Sequence, residues 1–190
     1  MPLTALDPST ALIVIDLQKG IVNGNFIHPI AGIIDRTRAL IDVFRAMNLP
    51  VVLVNVAGRP QGRTEQGPRS NVSLSEGWTG LLSQLNRQSS DIVVTKRSWG
   101  AFATTDLEGQ LKARGVTQVV LTGVVTSVGV EATARQAYEQ GFNVTLALDA
   151  MTDIRQESHD YSIRNVFPRV GESGSTQEII SLLETRSIAS

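Results

Sequence analysis

"QVVLTGVVTSVGVEATARQAYEQG", residues 118–141, changes its period halfway along. Gln118 to Val124 is an apolar, β-rich run with no polar alternation, the pattern of a strand covered on both faces. Beyond the corner, Val130, Ala134, Ala137 and Tyr138 recur at helical spacing until Gly141 stops the helix. The stretch therefore reads as strand, tight corner and amphipathic helix. In α/β hydrolytic enzymes such a corner often carries a nucleophile. Here it carries Gly129, with Thr126 and Ser127 just before it.

The same strand signal recurs at Ala11–Asp16, Pro50–Val56, Asp91–Lys96 and Asn143–Ala150. Helical patterns lie between these runs. Ile33, Ile34, Ala39, Leu40, Ile41, Val43 and Phe44 mark a helix ending near Asn48. Leu107, Leu111 and Ala113 mark one that starts near Thr105 and stops at Gly115, and a last helix fits Thr176 to Leu183. Strand and helix alternate, which predicts an α/β sandwich with a mostly parallel sheet and right-handed crossovers. The chain of 190 residues, 42% of them hydrophobic, reads as one domain over residues 1–190. One segment breaks the pattern. Ala57 to Trp78 is rich in Gly, Pro, Arg and Ser, and so long a loop is either a functional lid or arm or a mobile surface loop.

Composition narrows the function. A formal net charge of −1 argues against a nucleic-acid-contacting role for Arg59, Arg63 and Arg69. There is no cysteine, so disulfides, thiolate metal sites and a Cys nucleophile are excluded. The amino-terminal residues lack the basic and apolar regions of a signal peptide, and the run Ala11 to Ile15 is too short to span a bilayer. A cytoplasmic protein is expected. So are a small-molecule substrate and association with further copies of the chain as a dimer or tetramer, without nucleic acid or membrane.

In open parallel sheets ligands bind beyond the carboxyl ends of the strands. The polar residues there are Asp16, Gln18, Asn55, Lys96, Thr126, Ser127 and Asp149. Asp16 and Lys96 read either as a proton-transfer pair or as a structural ion pair. Gly129, at the first turn of a helix, either lets a ligand approach backbone N–H groups or permits close packing of helix on sheet. Trp99 and Phe102 are candidates to wall the pocket, with plain core as the alternative. His28 and His159 stand alone in sequence, and no metal site or cofactor is expected. Neither a P-loop nor a G-x-G-x-x-G motif occurs.

Four blocks, "ALIVIDLQKG", "VVTKRSWGAFATTDLEGQLKARGV", "VVLTGVVTSVGVEATARQAYEQGF" and "LALDAMTD", together resemble the isochorismatase-like, or cysteine-hydrolase, superfamily. The resemblance runs from Ala11 to about Asp153. It implies a three-layer α/β/α, Rossmann-like sandwich and an Asp–Lys–Cys site. The Asp falls on Asp16 and the Lys on Lys96. Counting back from Thr133 and Ala134 puts the Cys position on Gly129, so covalent acyl transfer there is not available. True isochorismatases resemble this chain in carrying Gly at that point. In them the Asp protonates the carbon of a vinyl ether and water attacks the oxocarbenium carbon.

The resemblance also implies a cis peptide bond between Val124 and Val125. The chain departs from isochorismatases at Ser98, Trp99 and Gly100, where they tend to have Arg-Tyr-Ser. It departs again at Val125 and Ser127, where they tend to have Tyr and His. The superfamily's metal-binding motif is not matched near His28. A more apolar pocket is expected, lined by Trp99, Phe102, Val124, Val125, Ser127 and Gly129. The leading function is hydrolysis of a small metabolite without a covalent nucleophile, with Asp16 as general acid/base beside Lys96. The alternative is a catalytically inactive small-molecule-binding protein on the same fold.

Overall fold

The computed structural model describes residues 3–65, 67–69 and 74–189. Residues 66 and 70–73 of the long loop lie outside the described residues. β1 (Thr10–Ile15) is buried at every position. Its alternating side chains explain why no polar residue interrupts it: Ala11, Ile13 and Ile15 enter one core, while Leu12 and Val14 enter another. The first core is closed by Leu107 and Leu111 of α2 (Leu107–Lys112), Ala134 and Ala137 of α3 (Glu131–Glu139), and Phe167 of α5 (Phe167–Val170). The second is closed by Leu40, Ile41 and Phe44 of α1 (Ile30–Ala46) and Ile179 and Leu183 of α6 (Thr176–Ala189). The result is the expected three-layer α/β/α sandwich.

β2 (Val51–Val56), β5 (Ile92–Lys96), β6 (Gln118–Val124), β7 (Asn143–Thr152) and β8 (Glu172–Gly174) complete a six-stranded sheet of order β5-β2-β1-β6-β7-β8. Every pairing in it is parallel. From β1 the chain builds outward to β2 and β5. It then crosses back to lay β6 on the other side of β1. Strand order reverses between β1 and β6, so the crevice at their carboxyl ends is the topological switch point.

That seam carries three backbone specialities. Gly123 has φ +116° and abuts β1 so closely that a Cβ would lie 2.1 Å from the Ile15 carbonyl oxygen. Asp16 itself has φ +54°, a left-handed conformation that Asp tolerates better than most side chains. The Val124–Val125 peptide is cis, as the resemblance implies.

Several elements differ from the sequence-based expectation. α2 begins at Leu107, after an irregular turn, rather than near Thr105. The corner after β6 is a π-helical turn, Thr126–Val130, that runs directly into α3. β7 continues past Ala150 to Thr152, because its register against β6 shifts between Leu121 and Gly123. α4 (Gln156–Tyr161) carries the chain on through a second π-helical turn, Ser162–Val166, into α5. This region, the edge strand β8, and a hairpin of β3 (Gly62–Thr64) with β4 (Gly67–Arg69) inside the long loop have no counterpart in the sequence-based reading. No helix among the described residues is long and apolar enough to cross a membrane.

Candidate active site

The ends of β1 and β5 deliver Asp16 and Lys96 to the same point. Lys96 Nζ lies 2.9 Å from Asp16 Oδ2, and both side chains are buried. Lys96 also donates to the Trp99 carbonyl, so the turn after β5 folds back over its own ammonium. Asp16 Oδ1 has no hydrogen-bond partner. An ionised carboxylate held out of water with half its acceptor capacity unused is costly. Burial accordingly pushes the Asp16 pKa up to about 6, against the opposing pull of Lys96.

Gly129 faces this pair. A Cβ built there would sit 3.2 Å from Asp16 Oδ2, 3.0 Å from Ile15 Cγ2 and 3.2 Å from the Val124 carbonyl. The corner, the Asp and the Lys therefore converge. Thr133 links the two loops that carry them: its hydroxyl donates to the Gly129 carbonyl at 2.7 Å and accepts from the Ala101 N–H at 3.1 Å. The corner's backbone is more self-contained than expected. The Val128 and Val130 N–H groups donate to the Val125 carbonyl, and the Ser127 N–H donates to Asp153 Oδ2 at 2.7 Å.

Asp16, Lys96 and Gly129 line a cavity of about 920 Å³ together with Trp99, Val124 and Val125. Two expected wall residues are not part of it. Phe102 is buried in the core below α2 and α3, its ring 5.9 Å from that of Phe142. The turn from Ser98 to Thr105 sends Trp99 outward and Phe102 inward, so their spacing does not give a common face. Ser127 does not line the cavity either, and its backbone N–H is tied to Asp153.

Asp149 also falls elsewhere. The irregular register of β7 leaves it short of the corner, where it accepts hydrogen bonds from the Thr176 N–H at 2.7 Å and hydroxyl at 2.9 Å. Asp153 takes the place at the corner. No sequence pattern singled it out, since it lies beyond the apolar run.

Gln18 and Asn55 are structural but not idle. The Gln18 amide accepts from the Val56 N–H at 2.7 Å and donates to the carbonyls of Val56 and Trp78. Asn55 Nδ2 donates to the Thr79 carbonyl at 2.8 Å. Together they fasten both ends of the long loop to the strands beneath. Between those ends Arg59, Pro60 and Leu74 line the cavity, so the loop is an arm over the site and not a remote excursion. Trp78 at its base lies against Gly20, where a Cβ would fall within 2.2 Å of the indole nitrogen.

His28 and His159, isolated in sequence, meet in space with ring centroids 5.1 Å apart. His159 Nδ1 is 2.9 Å from the hydroxyl of Thr126 in the corner, and His28 Nδ1 is 3.1 Å from that of Thr152. Burial first, and then His28, lowers the His159 pKa, opposed by Asp153 and Asp160. A neutral imidazole is thus favoured under the corner. Among the described residues no group of three or more His, Asp or Glu side chains is placed to hold a metal ion.

A parallel sheet with helices on both faces, and an Asp–Lys pair opposite a strand-to-helix corner at its switch point, define a three-layer α/β/α protein with its site at the carboxyl edge. The isochorismatase domain family matches residues 10–178, and the chain belongs to that family. It is similar to the isochorismatase family protein YwoC of Bacillus subtilis (strain 168), 38% identical over 178 residues that cover 90% of this chain and 92% of that one. It is likewise similar to YecD of Escherichia coli O157:H7, of the same family, 39% identical over 187 residues covering 92% and 96%. Among solved structures, an isochorismatase family protein from Burkholderia thailandensis superposes with a TM-score of 0.90 at 36% identity, covering 95% of this chain and 98% of that one.

Proposed function

We propose that this chain hydrolyses a small metabolite by proton transfer, with Asp16 as general acid/base, Lys96 as its buried partner and no covalent nucleophile. The observation that carries this reading is the buried Asp16 carboxyl group, whose Oδ2 meets Lys96 and whose Oδ1 has no partner, lining the cavity beside Gly129; burial pushes its pKa up to about 6. A group titrating there is protonated in a useful fraction of molecules near neutral pH, which a general acid requires. Lys96 holds Oδ2, so the proton resides on Oδ1.

The chemistry that suits such a site is cleavage of a vinyl ether. Asp16 protonates the β-carbon of the enol ether, and the carbon bearing oxygen becomes an oxocarbenium ion. Water adds to that carbon and returns a proton to the Asp16 carboxylate. The hemiketal so formed collapses to a carbonyl compound and an alcohol. No enzyme atom enters the covalent sequence. Val124, Val125 and Val128 in the cavity wall disfavour stray water around the cation while the addition occurs.

The test is a screen of vinyl-ether, amide and ester metabolites with the purified protein, run beside Asp16→Asn. Turnover of a vinyl ether that disappears in the variant supports the reading. Saturable binding without turnover of any compound leaves the fold as a binding protein and refutes it.

A further inference from the structure

Behind the cavity wall lies a cluster that the proton chemistry at Asp16 does not use. The chain has two histidines, and they meet there, His28 from the loop before α1 and His159 from α4. Each ring is paired through Nδ1 with a fully buried threonine hydroxyl, His159 with Thr126 of the corner and His28 with Thr152 at the end of β7. Val125, Val128 and Gly129 of the same corner line the cavity, while Thr126 does not. The imidazole pair therefore grips the corner from behind.

Hydrogen-bond accounting fixes the protonation state of both rings. A hydroxyl has one proton to donate. Among the described residues the Thr126 hydroxyl has no partner other than His159 Nδ1. The Thr152 hydroxyl already accepts the His28 N–H at 3.2 Å, so its own proton likewise points to His28 Nδ1. Both protons find an acceptor when each ring is neutral with its hydrogen on Nε2. An imidazolium donates from both nitrogens and leaves a buried hydroxyl proton without an acceptor. With the ring centroids 5.1 Å apart, a charge on one ring also opposes a charge on the other.

The carboxylates nearby are engaged elsewhere. Asp153, at the end of β7, accepts the Ser127 N–H on Oδ2 and the Ile154 and Arg155 N–H groups on Oδ1. Asp160 of α4 is held by Gln156 and Arg164. Glu131, where α3 begins, is taken by Arg135 and the Ser162 hydroxyl. Arg155 and Glu157 of α4 are exposed. Burial and then His28 outweigh the pull of Asp153 and Asp160 and hold the His159 pKa below its ordinary 6.5.

We infer that His159, backed by His28, is a positioning residue for the cavity: its neutral ring takes the Thr126 hydroxyl proton and seats the corner, and protonation of the ring releases the corner. A charged His159 strands the Thr126 proton and competes with the Ser127 N–H for Asp153, so two fastenings of the corner loosen in one event. Because the folded-state value is depressed, this stabilisation is present above 6.5 and is lost as pH falls through the folded value. The role rests on the cavity being the working site, but not on which bond is cleaved there. Asp16 needs its proton and the corner needs His159 without one, so the two groups bound the working pH range from opposite sides.

Magnetic resonance of the full chain tests this without a substrate, since two histidines are assigned with one variant each. The ring nitrogens and the amides of Ser127, Val128 and Val130 are followed from mildly alkaline to mildly acidic pH. Both rings should carry their hydrogen on Nε2 at the alkaline end, and His159 should titrate below 6.5. Hydrogen-exchange protection of the three amides should fall about tenfold with the same midpoint, the scale of one hydrogen bond. The response should persist in Asp16→Asn, which removes the neighbouring titration. In His159→Asn, which keeps an acceptor near Nδ1 but does not titrate, the amides should hold their alkaline state throughout. In Thr126→Val the His159 midpoint should rise toward 6.5.

A hydrogen on His159 Nδ1 at alkaline pH overturns the inference. So does a His159 midpoint at or above 6.5, one unmoved by Thr126→Val, corner amides that ignore it, or the same acid response in His159→Asn. If the corner follows His159 and no compound is turned over, the hydrolase reading fails and the positioning role stands. If a vinyl ether is cleaved by wild type and not by Asp16→Asn while the corner ignores His159, the reverse holds.

Discussion

Asp16→Asn should make the protein more stable above neutral pH while removing its activity. The reason is the balance at the floor of the cavity. In the folded chain the Asp16 pKa is raised from 3.8 to about 6, so burial outweighs Lys96 and the native state binds this proton more tightly than the unfolded state does. The stabilisation by this group is complete below pH 3.8 and is lost as pH rises through 6. At about 1.4 kcal/mol per pH unit, the ionised form costs about 3 kcal/mol at pH 8. Asparagine is a neutral near-isostere with no proton to lose, so it escapes that cost. The variant's advantage should be about 1 kcal/mol at pH 4.5 and grow to about 3 kcal/mol at pH 8.

Urea unfolding of both proteins across that range gives the difference directly, and titration of other carboxylates cancels in the subtraction. The opposing effect is the Lys96 ammonium left beside a neutral amide, since breaking a buried pair can cost about 3–5 kcal/mol. If that effect dominates, the Asp16→Asn substitution destabilises at pH 8 and the difference does not grow with pH. Asp16 would then be a permanently ionised partner of Lys96, and its role as proton donor would be refuted.

Asp16→Ala should reduce turnover by roughly 100-fold or more with the fold intact, as is usual for loss of a general acid. Wild-type kcat should fall as pH rises through about 6, the value at which Asp16 loses its proton, and a pH profile checks both. Gly129→Cys should place a thiol against Asp16 and Lys96 that reacts with iodoacetamide faster than a free, exposed cysteine at neutral pH. The chain's lack of cysteine gives a clean background, and native turnover should drop as the new side chain fills the cavity. Gly123→Ala should destabilise by at least about 2 kcal/mol, measured by urea unfolding, since φ +116° and a Cβ 2.1 Å from the Ile15 carbonyl cannot both be relieved.

The sheet was legible because five strands are long apolar runs, and burial on both faces leaves that mark on composition. β8 is three residues, Glu172–Gly174, at an edge where one neighbour suffices, so it leaves no periodicity to read. The helix-to-helix passage from α4 to α5 was hidden by a π-helical turn followed by Pro168, which breaks the 3.6-residue spacing.

At the site, Asp16 and Lys96 were legible because each ends an apolar run, and their resemblance to a known pair fixed the pairing. Asp153 was not, because the irregular register of β7 moved the strand's end beyond Asp149. The meeting of His28 with His159 depends on the loop before α1 docking beneath α4, and neither residue carries a local signal of that contact. Phe102 shows the limit in the other direction. Three residues after Trp99 is a helical interval, but the segment is an irregular turn, and the ring joined the core instead.

The Gln18 clamp has a consequence for how such a protein can change. One side chain grips Val56 and Trp78, at the two ends of the arm, and so closes the loop at its neck. A loop closed at its neck isolates what lies beyond from what lies beneath. Doubling the length of a flexible loop adds only about 0.6 kcal/mol of closure entropy, and here that strain ends at the neck and does not reach the strands bearing Asp16 and Lys96. Insertions, deletions and substitutions between Ala57 and Trp78 can therefore accumulate with little effect on folding, and each remodels the roof over an unaltered floor. Variation of the roof and constancy of the floor are divided between two parts of the chain, and the amide of Gln18 is the boundary.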